Sequence, residues 1–395
     1  MKKVIYLDNA ATSWPKPEIV YQVIDHFNRN IGANPGRGSS SKTLEAASVL
    51  LGTREALAKL FNISDVSRIV FTKNITESIN IVLKGYLKPG DHIITSSMEH
   101  NAVARPLHVL EKAGVEVTYV TCAPDGSLYP PDLERSWKKN TRMVCLLAAS
   151  NVTGTIQPLQ EVGKICRERG GTFLVDSAQS AGNIPMNVLE QNIDFLAFTG
   201  HKGLFGPQGT GGFYIRPGLE IRTLIEGGTG SLSAETRQPE SLPDKYESGT
   251  PNTPGIAGLG AGVEFIQKIG LTVIRKHEKE LMGMLIDGLK DIRGVTIYGP
   301  ADSRRQTSAL SFNLAGFECG ELGFLLDKNF GIITRSGMHC APLAHKTIGT
   351  LDQGTCRVSL NYFTTREDIE TFLKAVSKIG QQPVNNLPWE NLEKV

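Results

Sequence analysis

Between Arg68 and Tyr214, short apolar runs rich in β-branched and aromatic residues alternate with longer stretches of helical periodicity. This alternation restricts the fold more than any other feature. Strand-like runs fall at 69–71, 92–95, 115–120, 143–147, 173–176, 195–198 and 212–215, and helical patterns such as 77–87 and 101–113 separate most of them. Strands joined through a helix lie parallel, so the pattern predicts an α/β fold with a mostly parallel seven-stranded sheet covered by helices. The last two runs are joined only by 203–211, so part of the sheet is expected to be antiparallel.

A segment rich in Gly, Pro, Ser and Thr follows at 227–254 and reads as a long loop, of a length that in a compact chain usually carries function. Beyond it come a helix at 271–292, strands at 296–298, 309–312 and 357–360, and helices at 320–329 and 366–379. The last helix opens with Thr365 and Asp368 in capping-box spacing. This mixture predicts a smaller α+β domain. The expected division is a large domain at 16–260, and a small one made of 1–15 with 261–395 that carries the loop around Cys340.

The 395 residues are enough for two such units. A hydrophobic content of 40%, a charged content of 21% and a net charge of +2 argue against a nucleic-acid or anionic-membrane partner. No apolar stretch is long enough for a bilayer, and the segment Met1 to Asp8 reads as a short strand without a signal-peptide core, so a cytoplasmic location is expected. The six cysteines, Cys122, Cys145, Cys166, Cys319, Cys340 and Cys356, show no metal or redox spacing and are expected to be reduced. Cys145 and Cys166 fit core packing; no metal site is expected.

Chemistry enters with Thr199-Gly200-His201-Lys202-Gly203, which follows the apolar run 195–198. A lysine delivered at the mouth of a buried strand loses its proton readily and becomes an amine nucleophile for a carbonyl. By itself it reads better as a surface lysine in a glycine-rich turn. Asp176, ending the run Thr172-Phe173-Leu174-Val175-Asp176, changes that balance. A carboxylate at one strand mouth and an amine at another suit pyridoxal phosphate, whose ring nitrogen the Asp keeps protonated while the Lys binds the aldehyde. Asn74 and Glu77 form a cap-like start to a helix whose free N–H groups suit a phosphate.

These residues resemble the class V aminotransferases of the pyridoxal phosphate fold-type I superfamily, and within it the Suf-type cysteine desulfurases and the selenocysteine lyases. The resemblance runs from Tyr6-Leu7-Asp8-Asn9-Ala10-Ala11-Thr12 through Met98-Glu99-His100-Asn101, Ser150-Asn151-Val152-Thr153-Gly154 and Val175-Asp176-Ser177-Ala178-Gln179. It continues at Thr199 to Lys202, Glu247-Ser248-Gly249-Thr250-Pro251-Asn252, Arg335-Ser336-Gly337-Met338-His339-Cys340-Ala341 and Arg357-Val358-Ser359. Three departures stand out: Met338 where a first histidine is usual, Ile75 where a second threonine is common, and Asn34-Pro35-Gly36-Arg37-Gly38 in place of a His-Arg-Gly pattern.

The resemblance implies roles. Lys202 would hold the cofactor covalently and move protons at the substrate α-carbon, Asp176 would pair with the ring nitrogen, Gln179 would bond the ring hydroxyl oxygen and His100 would stack on the ring. Thr76, Thr199 and His201 would hold the phosphate, with Thr250 reaching in from the second subunit of a homodimer. Asn151, which would also reach the cofactor, and Arg357 would grip the substrate carboxylate, which a planar guanidinium matches in a bidentate manner, and Arg335 would also bind the substrate. Cys340, with Arg335, His339 and His345 nearby in sequence, would accept sulfur from L-cysteine as a persulfide, leave L-alanine, and pass the sulfur to an acceptor protein. His339 reads as a proton donor or as a turn residue. L-selenocysteine as the substrate, amino transfer with Cys340 incidental, and a non-catalytic scaffold are the competing readings.

Overall fold

The computed structural model describes residues 4–36, 38 and 40–381, so Met1 to Lys3 of the expected first strand and Arg37 of the departure at 34–38 lie outside the described residues. In chain order the strands are β1 (Ile5–Tyr6), β2 (Ile69–Thr72), β3 (His92–Ser96), β4 (Glu116–Val120), β5 (Thr141–Leu147), β6 (Thr172–Asp176) and β7 (Phe195–Thr199). They continue as β8 (Gly211–Ile215), β9 (Val295–Tyr298), β10 (Ala309–Leu314), β11 (Ile332–Ile333), β12 (Arg335–Gly337) and β13 (Thr355–Ser359).

The α/β architecture expected from the alternation is present. The large sheet has seven strands in the order β2-β8-β7-β6-β5-β3-β4. From β7 to β4 every pairing is parallel, and β8 runs antiparallel to both of its neighbours. The expected antiparallel element is therefore one inserted strand. β2, reversed twice relative to β7, points the same way as the parallel group. The C-terminal ends of β2, β3, β5, β6 and β7 thus share one rim, the edge where α/β sheets place ligands.

The strands read as unbroken apolar runs because both faces are covered. Phe173 and Val175 of β6, with Leu196 and Phe198 of β7, enter one core. Leu174, Phe195 and Ala197, on the alternate positions, enter the other. The helix Thr253–Ile269 packs on Glu18–His26 and Ser41–Phe61 on the first of these faces.

A second, antiparallel sheet has the order β12-β13-β10-β9, and its core gathers Leu310, Phe312 and Val358 with Leu281, Leu285, Ile369 and Phe372 of the helices Leu271–Lys290 and Arg366–Gly380. The Thr365–Asp368 capping box is formed in both directions. β1 pairs with β11 in a two-stranded sheet of its own, and the segment after it bridges the two larger sheets: Leu7 O accepts Ser359 N of β13 at 2.7 Å, and Ser13 N donates to His201 O, just beyond β7, at 2.9 Å. Among the described residues no single helix is long and apolar enough to cross a membrane.

Candidate active site

The shared rim carries the residues singled out in the sequence. β6 ends at Asp176, which is 4% exposed, and its Oδ1 accepts the Ala178 N–H at 2.9 Å. β7 ends at Thr199, and the tight turn beyond it delivers Lys202. That turn requires its glycines, because a Cβ at Gly200 would lie 2.1 Å from Thr210 Oγ1 and one at Gly203 would lie 2.4 Å from Ala181 O. Burial pushes the Lys202 amine down to about 8, with Arg357 and Arg335 acting in the same direction and Asp176 opposing them. Burial likewise pushes the Asp176 carboxyl up, against the Ala178 hydrogen bond and the Lys202 charge. Each group thus offsets part of the other's burial.

β3 leads to His100, at the N-cap of the helix Asn101–Lys112. Its Nδ1 accepts the Ala102 N–H at 3.0 Å, which leaves the proton on Nε2. Burial, then Lys202 and three arginines, push this imidazole down to about 4, so it is neutral near pH 7. Gln179 donates from Nε2 to Ala10 O at 2.9 Å, tying the β6 end to the chain's beginning.

Thr199 Oγ1 and His201 Nδ1, at and just beyond the end of β7, are buried polar atoms without a partner among the described residues. Buried orphans of this kind mark a place where a polar ligand belongs. Thr76 lies exposed in the first turn of the helix Ile75–Tyr86, whose N-cap Asn74 accepts the Glu77 N–H at 3.0 Å. Glu77 itself reaches Lys73 N rather than Asn74 N, so the expected cap closes one residue further out. Thr250 is exposed on the surface loop that follows Glu247. It lines a surface cleft with Lys73 and Gly209, among residues that do not include Lys202.

β5 leads to Asn151, and β13 carries Arg357 opposite Arg335 of β12. Arg357 is 1% exposed; its fork already bonds Asp8 Oδ1 at 2.7 Å and Asn151 O at 2.9 Å, leaving Nε without a partner among the described residues. Asn151 Nδ2 donates to His339 O at 2.7 Å. Asp8 is the residue that sequence reasoning passed over here: a single acid after a short strand carries no signal of the arginine it meets 349 positions later.

Cys340 is exposed, whereas Cys122, Cys145, Cys166 and Cys356 are buried and Cys319 is half-buried. It follows His339 in a sharp turn in which both residues take positive φ, 49° and 56°, a backbone strained for side chains of this size. Arg335 Nη2 stands 4.0 Å from Cys340 Sγ. Behind the thiol, His339 stacks on the fully buried His345 with ring centroids 5.5 Å apart. One tautomer set satisfies the chain of contacts: Thr350 Oγ1 donates to His345 Nδ1 at 2.7 Å, His345 Nε2 donates to His339 Nδ1 at 3.3 Å, and His339 Nε2 donates to Arg335 O at 3.2 Å. Burial pushes His339 down to about 3.

A doubly covered, mostly parallel sheet with a lysine and an aspartate at neighbouring strand ends, closed by a smaller antiparallel unit, defines a fold-type I transferase. The chain belongs to the class-V aminotransferase family, whose model matches residues 5–372. It is 34% identical over 385 residues to a cysteine desulfurase of Pectobacterium carotovorum, covering 95% of this chain and 92% of that protein. With a cysteine desulfurase of Escherichia coli O8 it shares 33% over 386 residues, covering 95% and 93%. The apo structure of a cysteine desulfurase from Thermococcus onnurineus NA1 matches with a TM-score of 0.90 and 34% identity, covering 95% of this chain and 94% of that one.

Proposed function

We propose that the protein is a pyridoxal phosphate-dependent cysteine desulfurase that converts L-cysteine to L-alanine and takes the sulfur onto Cys340 as a persulfide. The observation that carries this reading is the exposed thiol of Cys340, held in a strained turn beside Arg335 and tied by Asn151 to the rim that bears Lys202 and Asp176. The site's chemistry fits the cofactor. Lys202 offers an amine whose proton burial has loosened, Asp176 offers a buried carboxylate, and Thr199 and His201 offer unsatisfied polar atoms suited to a phosphate.

When bound, pyridoxal phosphate supplies the electron sink for charge released at the substrate α-carbon. Asp176 would pair with its ring nitrogen, Gln179 would bond its hydroxyl oxygen and His100 would stack on its ring. Thr76, Thr199 and His201 would hold the phosphate, joined by Thr250 of a second copy in a homodimer. Asn151, Arg335 and Arg357 hold the substrate. Lys202 takes the α-proton. The Cys340 thiolate attacks the substrate sulfur, so an S–S bond forms as the Cβ–S bond breaks, and the electron pair left on Cβ takes up a proton to give the methyl group of L-alanine. The strained turn then lets the loaded sulfur move out to an acceptor protein. The two-domain division at residues 16–260 and a cytoplasmic location belong to the same reading.

The test supplies purified protein with pyridoxal phosphate, L-cysteine and an added thiol reductant, which frees the outer persulfide sulfur as sulfide, and measures alanine and sulfide together, for the wild type and Cys340→Ser. Equal alanine and sulfide from the wild type, with loss of persulfide in C340S, is expected. Unchanged sulfide release in C340S overturns the role of Cys340. Amino transfer to an α-keto acid in place of alanine formation overturns the reaction. Turnover on L-selenocysteine in the same assay separates a lyase for that substrate.

A further inference from the structure

Glu99 stands on the same rim, and none of the roles above uses it. It immediately precedes His100 and is 0% exposed. Its Oε1 accepts Ser96 Oγ at 2.6 Å and Leu147 N at 3.2 Å. Its Oε2 is buried without a partner among the described residues. Leu147 is the register partner of Asp176 across β5 and β6, and the next N–H, that of Ala148, donates to Asp176 O at 2.8 Å. Glu99 is therefore bonded to the stretch of backbone that also fixes Asp176, and it is joined covalently to His100.

The groups around it decide its charge. Asp176 at the end of β6, Cys145 on β5, Tyr119 on β4 and Cys122 just beyond β4 all interact with it electrostatically, and every one is an acid. No cation stands among them. A carboxylate placed here would be desolvated and would face a second carboxylate, a combination that only protonation relieves.

We propose that Glu99 is a positioning residue carried as a neutral carboxylic acid, which locks the turn presenting His100 to the strand end presenting Asp176 and leaves Asp176 the single negative charge beneath the cofactor. The cofactor part rests on the function proposed above. Burial pushes the Glu99 carboxyl up to about 8, Asp176 adds to the rise, and the Ser96 hydrogen bond opposes it.

The experiment compares the full-length wild type with Glu99→Gln, which keeps the neutral shape, and Glu99→Ala. Infrared difference spectra of wild type minus E99Q are expected to show a protonated carboxyl band at neutral pH that converts to carboxylate with a midpoint of about 8. The folded group holds its proton more tightly than the unfolded one. Wild-type stability therefore falls relative to E99Q as pH rises from 4.5 to about 8, and the difference is flat above that. Pyridoxal phosphate, titrated as the probe, is expected to bind E99Q within about threefold of wild type and E99A about tenfold more weakly, an order-of-magnitude expectation for losing one buried hydrogen-bonded group. A carboxylate band at neutral pH, cofactor loss in E99Q equal to that in E99A, or wild-type affinity in E99A overturns the proposal. A wild type that takes up no pyridoxal phosphate overturns the function reading instead, and the infrared and stability measurements still decide the state of Glu99.

Discussion

The backbone N–H of Asn101 donates to the carbonyl of Cys340 at 2.9 Å, so the loop that carries the exposed thiol is pinned to the first turn of the helix that His100 caps. The Asn151 amide makes a second pin to the neighbouring carbonyl of His339. Together they hold the exposed thiol and the rim that bears Asp176 and Lys202 in one frame, although some 240 residues of chain lie between Asn101 and Cys340.

The second pin is a side chain and can be removed. Asn151→Ala leaves a buried carbonyl unsatisfied, a loss of about 1–3 kcal/mol. If Cys340 accepts sulfur as proposed, loss of that pin is expected to slow persulfide formation on it roughly 10- to 100-fold. Mass spectrometry of the intact protein after a single turnover checks this. A wild-type rate in N151A removes the positioning argument.

The amine of Lys202 predicts a pH profile for cofactor uptake. Its free-base form reacts with an aldehyde, and burial lowers its midpoint from 10.5 to about 8. Trapping of pyridoxal phosphate by borohydride should therefore rise with pH through about 8, and Lys202→Ala should abolish trapping at this position. Asp176 holds the midpoint up, so Asp176→Asn is expected to move it to lower pH. A midpoint that stays near the ordinary lysine value, or that rises in D176N, contradicts the assignment.

Much of this was legible in the chain before any coordinates. The large-sheet strands announced themselves because both faces are buried, which made runs such as Phe173 to Val175 continuously apolar. Lys202 and Asp176 were legible because a charged residue ending such a run contradicts its surroundings. Glu99 carries no such signal, since an acid beside a histidine looks the same in sequence whether it faces water or the core. The Asp8–Arg357 pair gave no signal either, because the segment after β1 meets β13 only through the tertiary fold.

The stacked histidines set an acid limit on the Cys340 loop. The folded His339 has its midpoint lowered to about 3 from 6.5. Its unfolded form therefore takes up a proton first, and the stability it contributes is full above 6.5 and lost as pH falls towards 3. His100 and His201, each lowered to about 4, act in the same direction. Thermal unfolding followed from neutral to acid pH should show this decline, and His339→Asn should make it shallower. An equally steep decline in H339N assigns the acid sensitivity to the other groups.

The loop bearing Thr250 hangs on a buried ion pair. Arg54 Nη2 meets both Glu247 carboxylate oxygens at 2.6 Å, and their side chains are 9% and 17% exposed. Glu247 also accepts Phe71 N at 2.6 Å, Arg54 Nε donates to Ile69 O at 3.1 Å, and the guanidinium lies 4.5 Å from the Phe71 ring centre. Both partners thus clamp β2, and the chain leaves Glu247 directly for Ser248, Gly249 and Thr250. Removing one partner strands the other charge in the interior, at a cost of about 3–5 kcal/mol, whereas replacing both by apolar residues of similar volume is often neutral. Glu247→Ala should therefore unfold at markedly lower urea than wild type, and Arg54→Met with Glu247→Leu should recover most of the loss. The double variant still lacks the bond to Phe71 N, so it is expected to free the 248–252 loop and to bind pyridoxal phosphate more weakly than its stability implies. Should E247A match the wild type in urea, the clamp is a surface ornament; should the double variant bind the cofactor as the wild type does, Thr250 does not depend on it.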